Sequence, residues 1–345
     1  MAASAILVVG NRSLLSPEGD ESFSGDGAEP PASPVAALEI LGKSIVEHTI
    51  ERLHSAGINS VSVVREVGFS LTAGRRFVPD VLMKQARKGF DRVLLIRLGA
   101  YAEVDCADLL RFHSEAGAGV TRVCDLSGPL DFWVLDSAPS GRARPNLDSA
   151  SEVNPPSDYL TTGYVNRLAD ARDLRRLVTD AFQGRCAIRP RGREVKPGVW
   201  IDDGARVHRS ARIVAPAYIG RGTRVRAAAL VTRFSNLERR CLVDFGTAIE
   251  DSSVLPYTHV GRGLDVAHAV VEGSRLVNLS RNVAVTIRDA NLIGPTASRR
   301  HWFGYGRKKK VEIALPITEA FDIEPVPHAA LRPRTVLRIL SKGEV

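Results

Sequence analysis

The sequence predicts an α/β domain followed by a parallel β-helix, on two observations. Aliphatic residues recur at every sixth position from Ile201 to Leu255, and each of the first nine is followed four places later by a small residue. A hexapeptide period is typical of a parallel β-helix, in which three short faces form a triangular coil of about 18 residues. Upstream of this repeat, strand-like and helix-like segments alternate, as they do in an α/β layer.

The repeat predicts which side chains fill the interior of the prism and which occupy its corners. The interior series is Ile201, Val207, Ile213, Ile219, Val225, Val231, Leu237, Val243, Ile249 and Leu255. The corner series is Ala205, Ala211, Ala217, Thr223, Ala229, Ser235, Cys241, Thr247 and Ser253. Past this point Val254, Val260 and Val266 run one position early, and Val270 and Leu276 start a third phase with Ser274 and Ser280. We therefore expect a bulge or loop there, in a β-helix that continues to about Gly294.

The upstream elements follow from periodicity and from breaker residues. Strands are predicted at AILVVG (5–10), INSVSVV (58–64), DRVLLIRL (91–98) and GVTRVC (119–124). Helices are predicted within 39–56, 80–89, 106–117 and 169–184, the first with Ile45, Val46, Thr49, Ile50 and Leu53 on one face. Residues 137–157 predict a loop, because they are rich in Pro, Ser and Gly, and 188–198 predict a linker. Together these segments predict a largely parallel sheet.

Composition excludes several classes of protein. The chain has 345 residues, of which 44% are hydrophobic and 25% charged, and no stretch approaches the roughly 18 apolar residues of a membrane span. Its start lacks a basic region, so MAASAILVVG predicts a first strand and not a signal peptide. Cys106, Cys124, Cys186 and Cys241 lack metal-ligand spacing, so we expect neither a metal nor disulfides, and a cytoplasmic location.

Charge is divided unevenly along the chain. Residues 1–190 hold 21 Lys and Arg against 24 Asp and Glu, whereas residues 191–345 hold 26 against 15. Within the repeat, two arginine pairs are separated by one coil and should stack: Arg206 with Arg224, and Arg221 with Arg239. They form either a solvated surface or an anion-binding site for a phosphorylated ligand, an acidic polymer or an acidic protein. Nucleic acid is not expected, because aromatic residues are only 6% and no nucleic-acid-binding module is present.

Two stretches resemble a known family. SPVAALEILGKSIVEHTIERLHSAGINSVSVV (33–64) is similar to the opening of the sugar-phosphate nucleotidyltransferases (NDP-sugar pyrophosphorylases), and EVKPGVWIDDGARVHRSARIVAPAYIGRGTRV (194–225) resembles their domain junction. In that family a Rossmann-like domain of the GT-A type precedes a left-handed β-helix. The resemblance implies domains at 1–190 and 191–295, a C-terminal tail at 296–345, and a sugar nucleotide or sugar phosphate as ligand.

The catalytic motifs of that family are degenerate in this sequence. Of its Gly-rich loop only Gly10 and Arg12 could stand in, and its PKP lysine aligns with Val35. Its metal-binding Asp aligns with Gly99, with Asp105 nearby in a different phase. Lys43 matches the GKP position, where it could contact a ligand or simply start a helix. Asp202 could correspond to a second metal Asp or to a corner of the repeat.

Three functional hypotheses therefore stay open. The first is a catalytically degenerate relative that binds a sugar nucleotide or a partner in envelope or exopolysaccharide metabolism. The second is an active nucleotidyltransferase that uses Arg12, Lys43 and Asp105, and would need Mg²⁺ and a nucleoside triphosphate. The third is a hexapeptide-class acyltransferase with a histidine as general base, for which the candidates are His208, His259 and His268.

Two further expectations concern assembly. The flat faces of a β-helix commonly pair around a symmetry axis, so we expect a homo-oligomer. The aromatic and basic segment RRHWFGYGRKKK (299–310) either caps the end of the β-helix or contacts an anionic membrane surface or an acidic partner.

Overall fold

The computed structural model describes residues 2–15, 33–65, 84–137 and 156–296, together with the backbone of 321–323. The predicted loop at 137–157 and the segment 299–310 fall largely or wholly outside these residues. The fold consists of an α/β domain and a repeated-strand region with the geometry of a β-helix.

Up to residue 190, the described part of the α/β domain contains ten short or medium strands and three helices. The strands are β1 (Ala3–Val9), β2 (Glu39–Ile40), β3 (Lys43–Ser44), β4 (Ser60–Arg65), β5 (Arg92–Arg97), β6 (Tyr101–Ala102), β7 (Val120–Asp125), β8 (Gly128–Asp136), β9 (Ser157–Leu160) and β10 (Val165–Asn166). The helices are α1 (Ile45–Ser55), α2 (Cys106–Ala116) and α3 (Ala171–Phe182), with a 3-10 turn at Val35–Ala37 and a helical stretch at 84–87. Each of the predicted strands and helices is therefore present.

The central sheet is mixed, which corrects the expectation of a largely parallel one. With β28 (Phe321–Ile323) its order is β28-β4-β1-β5-β8-β7-β9. β1 pairs in parallel with β4 and β5, but β8 runs antiparallel to both β5 and β7, and β28 runs antiparallel to β4. The sequence prediction missed β8, which follows β7 through a two-residue turn that ends at Gly128, where φ is +125°. The C-terminal tail thus returns a strand to the first domain.

Helix α1 lies within the predicted range of 39–56, and a tight turn precedes it. Leu41 and Gly42 have φ values of +54° and +97°, and they connect β2 to β3 as a hairpin. The helix then starts after Ser44, whose hydroxyl accepts from the Glu47 amide at 3.2 Å while the Glu47 carboxylate accepts from the Ser44 amide at 2.7 Å. This capping box fixes the first turn of the helix, and residues 39–44 before it form the β2–β3 hairpin.

The second region winds in short strands that stack one coil apart. Its strands are β11 (Arg193–Lys196), β12 (Val199–Ile201), β13 (Arg206–Val207), β14 (Arg212–Ile213), β15 (Ala217–Ile219), β16 (Arg224–Val225), β17 (Leu230–Thr232), β18 (Ser235–Leu237), β19 (Leu242–Val243), β20 (Ala248–Glu250), β21 (Ser253–Val254), β22 (Thr258–Val260), β23 (Asp265–Ala267), β24 (Ala269–Glu272), β25 (Arg275–Asn278), β26 (Val283–Thr286) and β27 (Ile293–Pro295). The first face comprises β12, β15, β18, β21 and β24. The second face comprises β13, β16, β19 and β22, and the third comprises β14, β17, β20 and β23.

The predicted interior is confirmed for nine of the ten aliphatic residues. From Ile219 to Ile249 these side chains are buried in one cluster, and Ile201, Val207 and Ile213 pack against it from the first coil. Leu255 was assigned wrongly: the register pairs Leu237 with Val254, so Val254 lies inside the prism. Leu255 is equally buried, but it packs in the cluster between the two domains.

The one-residue slip also moves the corner and ends the parallel winding early. Ser252, rather than Ser253, donates its hydroxyl to the Glu250 carbonyl at the corner. Val271, rather than Val270, joins the interior cluster in the next coil. After β24 the strands β25 and β26 turn back antiparallel, and β27 pairs antiparallel with β22, so the parallel coils stop near Glu272 and not near Gly294. The predicted linker at 188–198 contains β11, which is antiparallel to β12.

Candidate functional site

The candidate site lies at the carboxyl edge of the parallel strands. The chain passes from β1 to β4 on one side and returns to β5 on the other, so β1 and β5 meet at a topological switch point. In open α/β sheets, ligands bind in the crevice outside the carboxyl ends of strands at such a point. Gly10 follows β1 directly, and Gly99 comes two residues after the end of β5. We call this place the switch-point crevice.

Arg12 lies across this crevice. Its Nη2 donates to the carbonyl oxygens of Gly99 at 2.6 Å and Leu168 at 2.8 Å, with Arg167 O at 3.4 Å. The Arg12 carbonyl accepts from the Val35 amide at 2.8 Å, which fixes the segment that carries the side chain. Among the described residues no carboxylate pairs with Arg12, so its charge is available to an anion.

A second arginine lies next to this network. Arg167 Nη2 donates to Asp125 Oδ1 at 2.5 Å and to the Gly128 carbonyl at 3.0 Å, and so ties the strand before α3 to the β7–β8 turn. Burial alone would raise the pKa of Asp125, but hydrogen bonds from Arg167 and the Ser127 amide bring that pKa below its ordinary value. Asp125 is therefore held as a carboxylate that neutralises Arg167, which leaves Arg12 as the uncompensated cation.

The other residues expected to contact a nucleotide are engaged locally. Lys43 Nζ forms an ion pair of 2.7 Å with Glu51 on α1. The Asp105 carboxylate caps α2, accepting from the amides of Ala107 and Asp108 at 3.0 Å each. The structure thus brings Gly10 and Arg12 to the end of β5, and it commits Lys43 and Asp105 to other partners.

These residues do not fit a Mg²⁺ site. Gly99 has no side chain, one Asp105 oxygen already accepts two amide hydrogens, and the described residues contain no group of three His, Cys, Asp or Glu side chains that could hold a metal ion. Asp202 is buried at a corner of the repeat, with Oδ2 at 3.7 Å from Arg191 Nε and 3.4 Å from the Tyr218 hydroxyl. That position supports the corner interpretation of Asp202.

The three histidine candidates have different surroundings. His208 Nδ1 lies 2.9 Å from Ser210 Oγ on an exposed turn. His259 Nδ1 lies 3.1 Å from the Ala290 carbonyl, and its Nε2 is buried without a hydrogen-bond partner, 4.0 Å from Asp244 Oδ2. His268 differs from both, because its Nδ1 lies 2.7 Å from a carboxylate oxygen of Asp251 and half of its side chain is exposed.

The two predicted arginine stacks have different fates. Arg206 and Arg224 are partners in the parallel register of β13 and β16, and both are exposed, as predicted. Arg239 instead forms an ion pair of 2.7 Å with Glu39 of the α/β domain and lies 5.4 Å above the Tyr257 ring. Arg239 is therefore held by Glu39, and the Arg221–Arg239 pair does not form the free cation stack that the spacing predicted.

Sequence reasoning missed the polar contacts that join the two domains. Glu238, at the corner that follows β18, is fully buried. Its carboxylate accepts hydrogen bonds from the amides of Leu41 at 2.9 Å and Gly42 at 3.0 Å, and from Asn236 Nδ2 at 2.7 Å. Burial raises the pKa of Glu238 to about 7 despite these donors. Burial likewise raises the pKa of Glu39 to about 8, although Arg239 opposes the shift.

Arg175 is the second interdomain contact. It projects from α3 onto the first face, where Nη1 donates to Ser253 Oγ at 2.8 Å and Nη2 donates to Asp251 Oδ1 at 2.7 Å and to the Phe234 carbonyl at 3.0 Å. Its side chain is 6% exposed. Two sequence features could have predicted these interdomain contacts: Glu238 is the only acidic residue between 205 and 243, and Arg175 lies in an amphipathic helix.

No family model matches this sequence, and no curated protein matches it. In the part of the chain that the structure describes, no helix is both long enough and apolar enough to cross a membrane. The switch-point crevice and the β-helix faces are therefore the features from which a function can be inferred.

Proposed function

We propose that this protein binds a sugar nucleotide or sugar phosphate in the switch-point crevice and does not transfer the nucleotidyl group. It is a catalytically degenerate relative of the sugar-phosphate nucleotidyltransferases and acts in envelope or exopolysaccharide metabolism. One observation carries the proposal: Arg12 spans the crevice and is held by the carbonyls of Gly99 and Leu168, with no carboxylate partner among the described residues.

The chemistry at this position supports binding more than catalysis. A guanidinium held by carbonyl oxygens is a fixed cation, and it pairs with phosphate oxygens through charge-assisted hydrogen bonds. Nucleotidyl transfer also requires carboxylates that hold Mg²⁺ against the triphosphate. Gly99 cannot supply one, and Asp105 already caps α2. The crevice therefore favours a phosphate-bearing ligand that is bound and released unchanged.

Calorimetric titration with nucleoside diphosphate sugars and hexose 1-phosphates tests this function. We expect binding that Arg12→Ala weakens by about tenfold and that Arg12→Lys partly restores, since one charge-assisted contact contributes about 1.4 kcal/mol. Arg176→Ala is the matched control, because Arg176 is exposed and pairs with Asp173 on α3. Binding that is unaffected by Arg12→Ala would overturn the proposed site.

A turnover assay separates this proposal from an active enzyme. Pyrophosphate release from nucleoside triphosphates and hexose 1-phosphates, with Mg²⁺ present, should stay at background. Turnover that is abolished by Asp105→Ala or Lys43→Ala would establish a nucleotidyltransferase with non-standard residues.

A second candidate function is acyl transfer, which the contact between His268 and Asp251 favours. A carboxylate that accepts from Nδ1 orients the ring and leaves Nε2 available as a general base toward an acceptor hydroxyl or amine. Acetyl-CoA-dependent acylation that is lost in His268→Gln would support this function. Unchanged thermal stability in the presence of acetyl-CoA would exclude it.

A further inference from the structure

The second face of the β-helix carries a cluster of arginines on its first coils, which we call the basic patch. Arg206 and Arg224 lie at its centre, in register on β13 and β16. The corners on either side and the turn of the next coil add four more exposed arginines: Arg209, Arg221, Arg226 and Arg240. The backbone places them side by side, because the Arg240 amide donates to Arg221 O at 2.8 Å and the His208 amide donates to Val225 O beside Arg226.

The basic patch has an excess of positive charge. Residues 205–243 contain nine arginines and one acidic residue, Glu238, which is buried between the domains; Asp203 and Asp244 flank this stretch, and Asp244 pairs with Arg262. Two of the nine have carboxylate partners, Arg233 with Glu250 and Arg239 with Glu39, and Arg212 lies on the third face. Among the described residues, no carboxylate lies within ion-pair distance of the remaining six.

The scaffold holds these cations at a fixed spacing. Stacked parallel strands place equivalent residues about 4.8 Å apart, and the inward neighbours Val207 and Val225 pack in the interior cluster. Like charges at this distance repel one another, so the free protein is destabilised by their proximity. A ligand with several negative charges in a row would relieve that repulsion at more than one coil.

We propose that the basic patch binds a linear acidic polysaccharide through its carboxylates. An extended chain can lie on a flat face and present successive carboxylates to guanidinium groups of neighbouring coils. This inference goes beyond the proposed function, because the patch is on the β-helix and the switch-point crevice is in the α/β domain. The two ligands are chemically distinct, so either proposal can fail alone.

The surroundings of the patch favour this partner over other polyanions. Single-stranded nucleic acids bind on several exposed aromatic rings, but Tyr218 is fully buried and Phe234 packs on Phe182, which leaves Phe245 as the one exposed aromatic residue between 205 and 250. Membrane-binding surfaces place several large apolar groups beside their cations, whereas the positions between these arginines hold His208, Gly222 and Ala227, and Phe245 in the next coil is a single exposed apolar side chain. A duplex presents a convex surface that a flat face touches over a narrow strip.

Binding of the full-length protein to polygalacturonate at low salt tests the proposal. We expect Arg206→Gln/Arg224→Gln to weaken the affinity by about tenfold or more. The matched control is Arg281→Gln/Arg288→Gln, which removes the same charge from exposed positions flanking β26 and should change affinity by less than about twofold. Both double variants should keep the wild-type circular dichroism spectrum, because all four side chains are exposed.

Three outcomes would overturn the inference. An equal loss of affinity in the control variant would show a general charge effect in place of a site. Affinity that does not fall as salt is raised would be inconsistent with exposed ion pairs, which are screened beyond roughly 8 Å at physiological ionic strength. Tighter binding to duplex DNA or to phosphatidylserine vesicles than to polygalacturonate, at equal salt, would assign the patch to another partner.

Discussion

The first and second faces of the β-helix have the same inward pattern and opposite outward chemistry. Along the first face the outward residues are Trp200, Tyr218, Asn236, Ser253 and Val270. Along the second face they are Arg206, Arg224, Leu242 and His259. The first set is apolar or neutral and is largely covered by the α/β domain, whereas the second begins with two exposed arginines.

The difference shows that the interior repeat builds the prism and the outward residues decide what each face does. Ile219 and Val225 occupy equivalent interior positions on the two faces and are equally buried. Tyr218 and Arg224 precede them and point outward, and only Tyr218 belongs to the cluster between the domains. Substitutions can therefore test three parts separately: the interior of the prism, the first face, which packs on the α/β domain and is called the docking face, and the second face, which is called the solvent face.

The largest effect is expected inside the prism, where both faces depend on the same side chains. Val243→Asp would place an unpaired charge in a dry interior, so we expect a loss of stability above about 4 kcal/mol and an unfolded β-helix. Val207→Asp is the control, because Val207 lies in the first coil and is only partly buried. Thermal denaturation followed by circular dichroism measures both. A Val243→Asp melting curve that overlaps the wild-type curve would show that this side chain is not enclosed.

The interior of the prism is also the part of the fold that the sequence predicts best. Period and residue type specify it from Ile201 to Ile249, because every coil repeats the same burial requirement. The prediction failed at Val254 and Leu255, where two adjacent aliphatic residues are both buried, one inside the prism and one against the α/β domain. Periodicity cannot distinguish these two environments.

The candidate site was less predictable for a different physical reason. Two of the residues expected to bind a ligand form contacts with nearby residues instead: Lys43 pairs with Glu51, and Asp105 caps the amides of α2. Such local contacts compete with any distant role of a polar side chain. The interdomain pair of Arg175 and Asp251 is separated by 76 residues, and nothing in the repeat pattern links the two.

The second-largest effect is expected on the docking face. Arg175→Ala would leave the partly buried Phe234 carbonyl and the buried Ser253 hydroxyl without their donor, so we expect a loss of about 3 kcal/mol. Arg176→Ala on the same helix should change stability by less than about 0.5 kcal/mol, because Arg176 is mostly exposed and makes a surface ion pair. Urea denaturation gives both values. Equal effects of the two substitutions would contradict the role assigned to Arg175.

The docking face should also make stability depend on pH. Burial raises the pKa of Glu39 to about 8 from its ordinary value of 4.5. Between these values the folded state holds a proton that the unfolded chain has released, so the contribution of Glu39 is present at low pH and is lost as pH rises through about 8. The wild-type protein should therefore lose stability relative to Glu39→Gln as pH rises from 5 to 9. A constant difference in unfolding free energy across this range would show that Glu39 does not titrate as its burial implies.

The smallest effect, and one of opposite sign, is expected on the solvent face. Arg206→Gln/Arg224→Gln removes two stacked like charges without removing a side-chain hydrogen bond or ion pair among the described residues, so stability should rise by no more than about 0.5 kcal/mol at low salt. The gain should vanish at about 1 M salt, where the screening length falls to about 3 Å. Urea denaturation at both salt concentrations measures the change, with Arg281→Gln/Arg288→Gln as the control for net charge.

A loss of stability comparable to that of Arg175→Ala would mean that the second face is also a structural interface, and the contrast between the two faces would fail. A gain confined to the Arg206→Gln/Arg224→Gln protein and abolished by salt would show that the fold tolerates this repulsion at its surface, as expected of cations kept for a ligand.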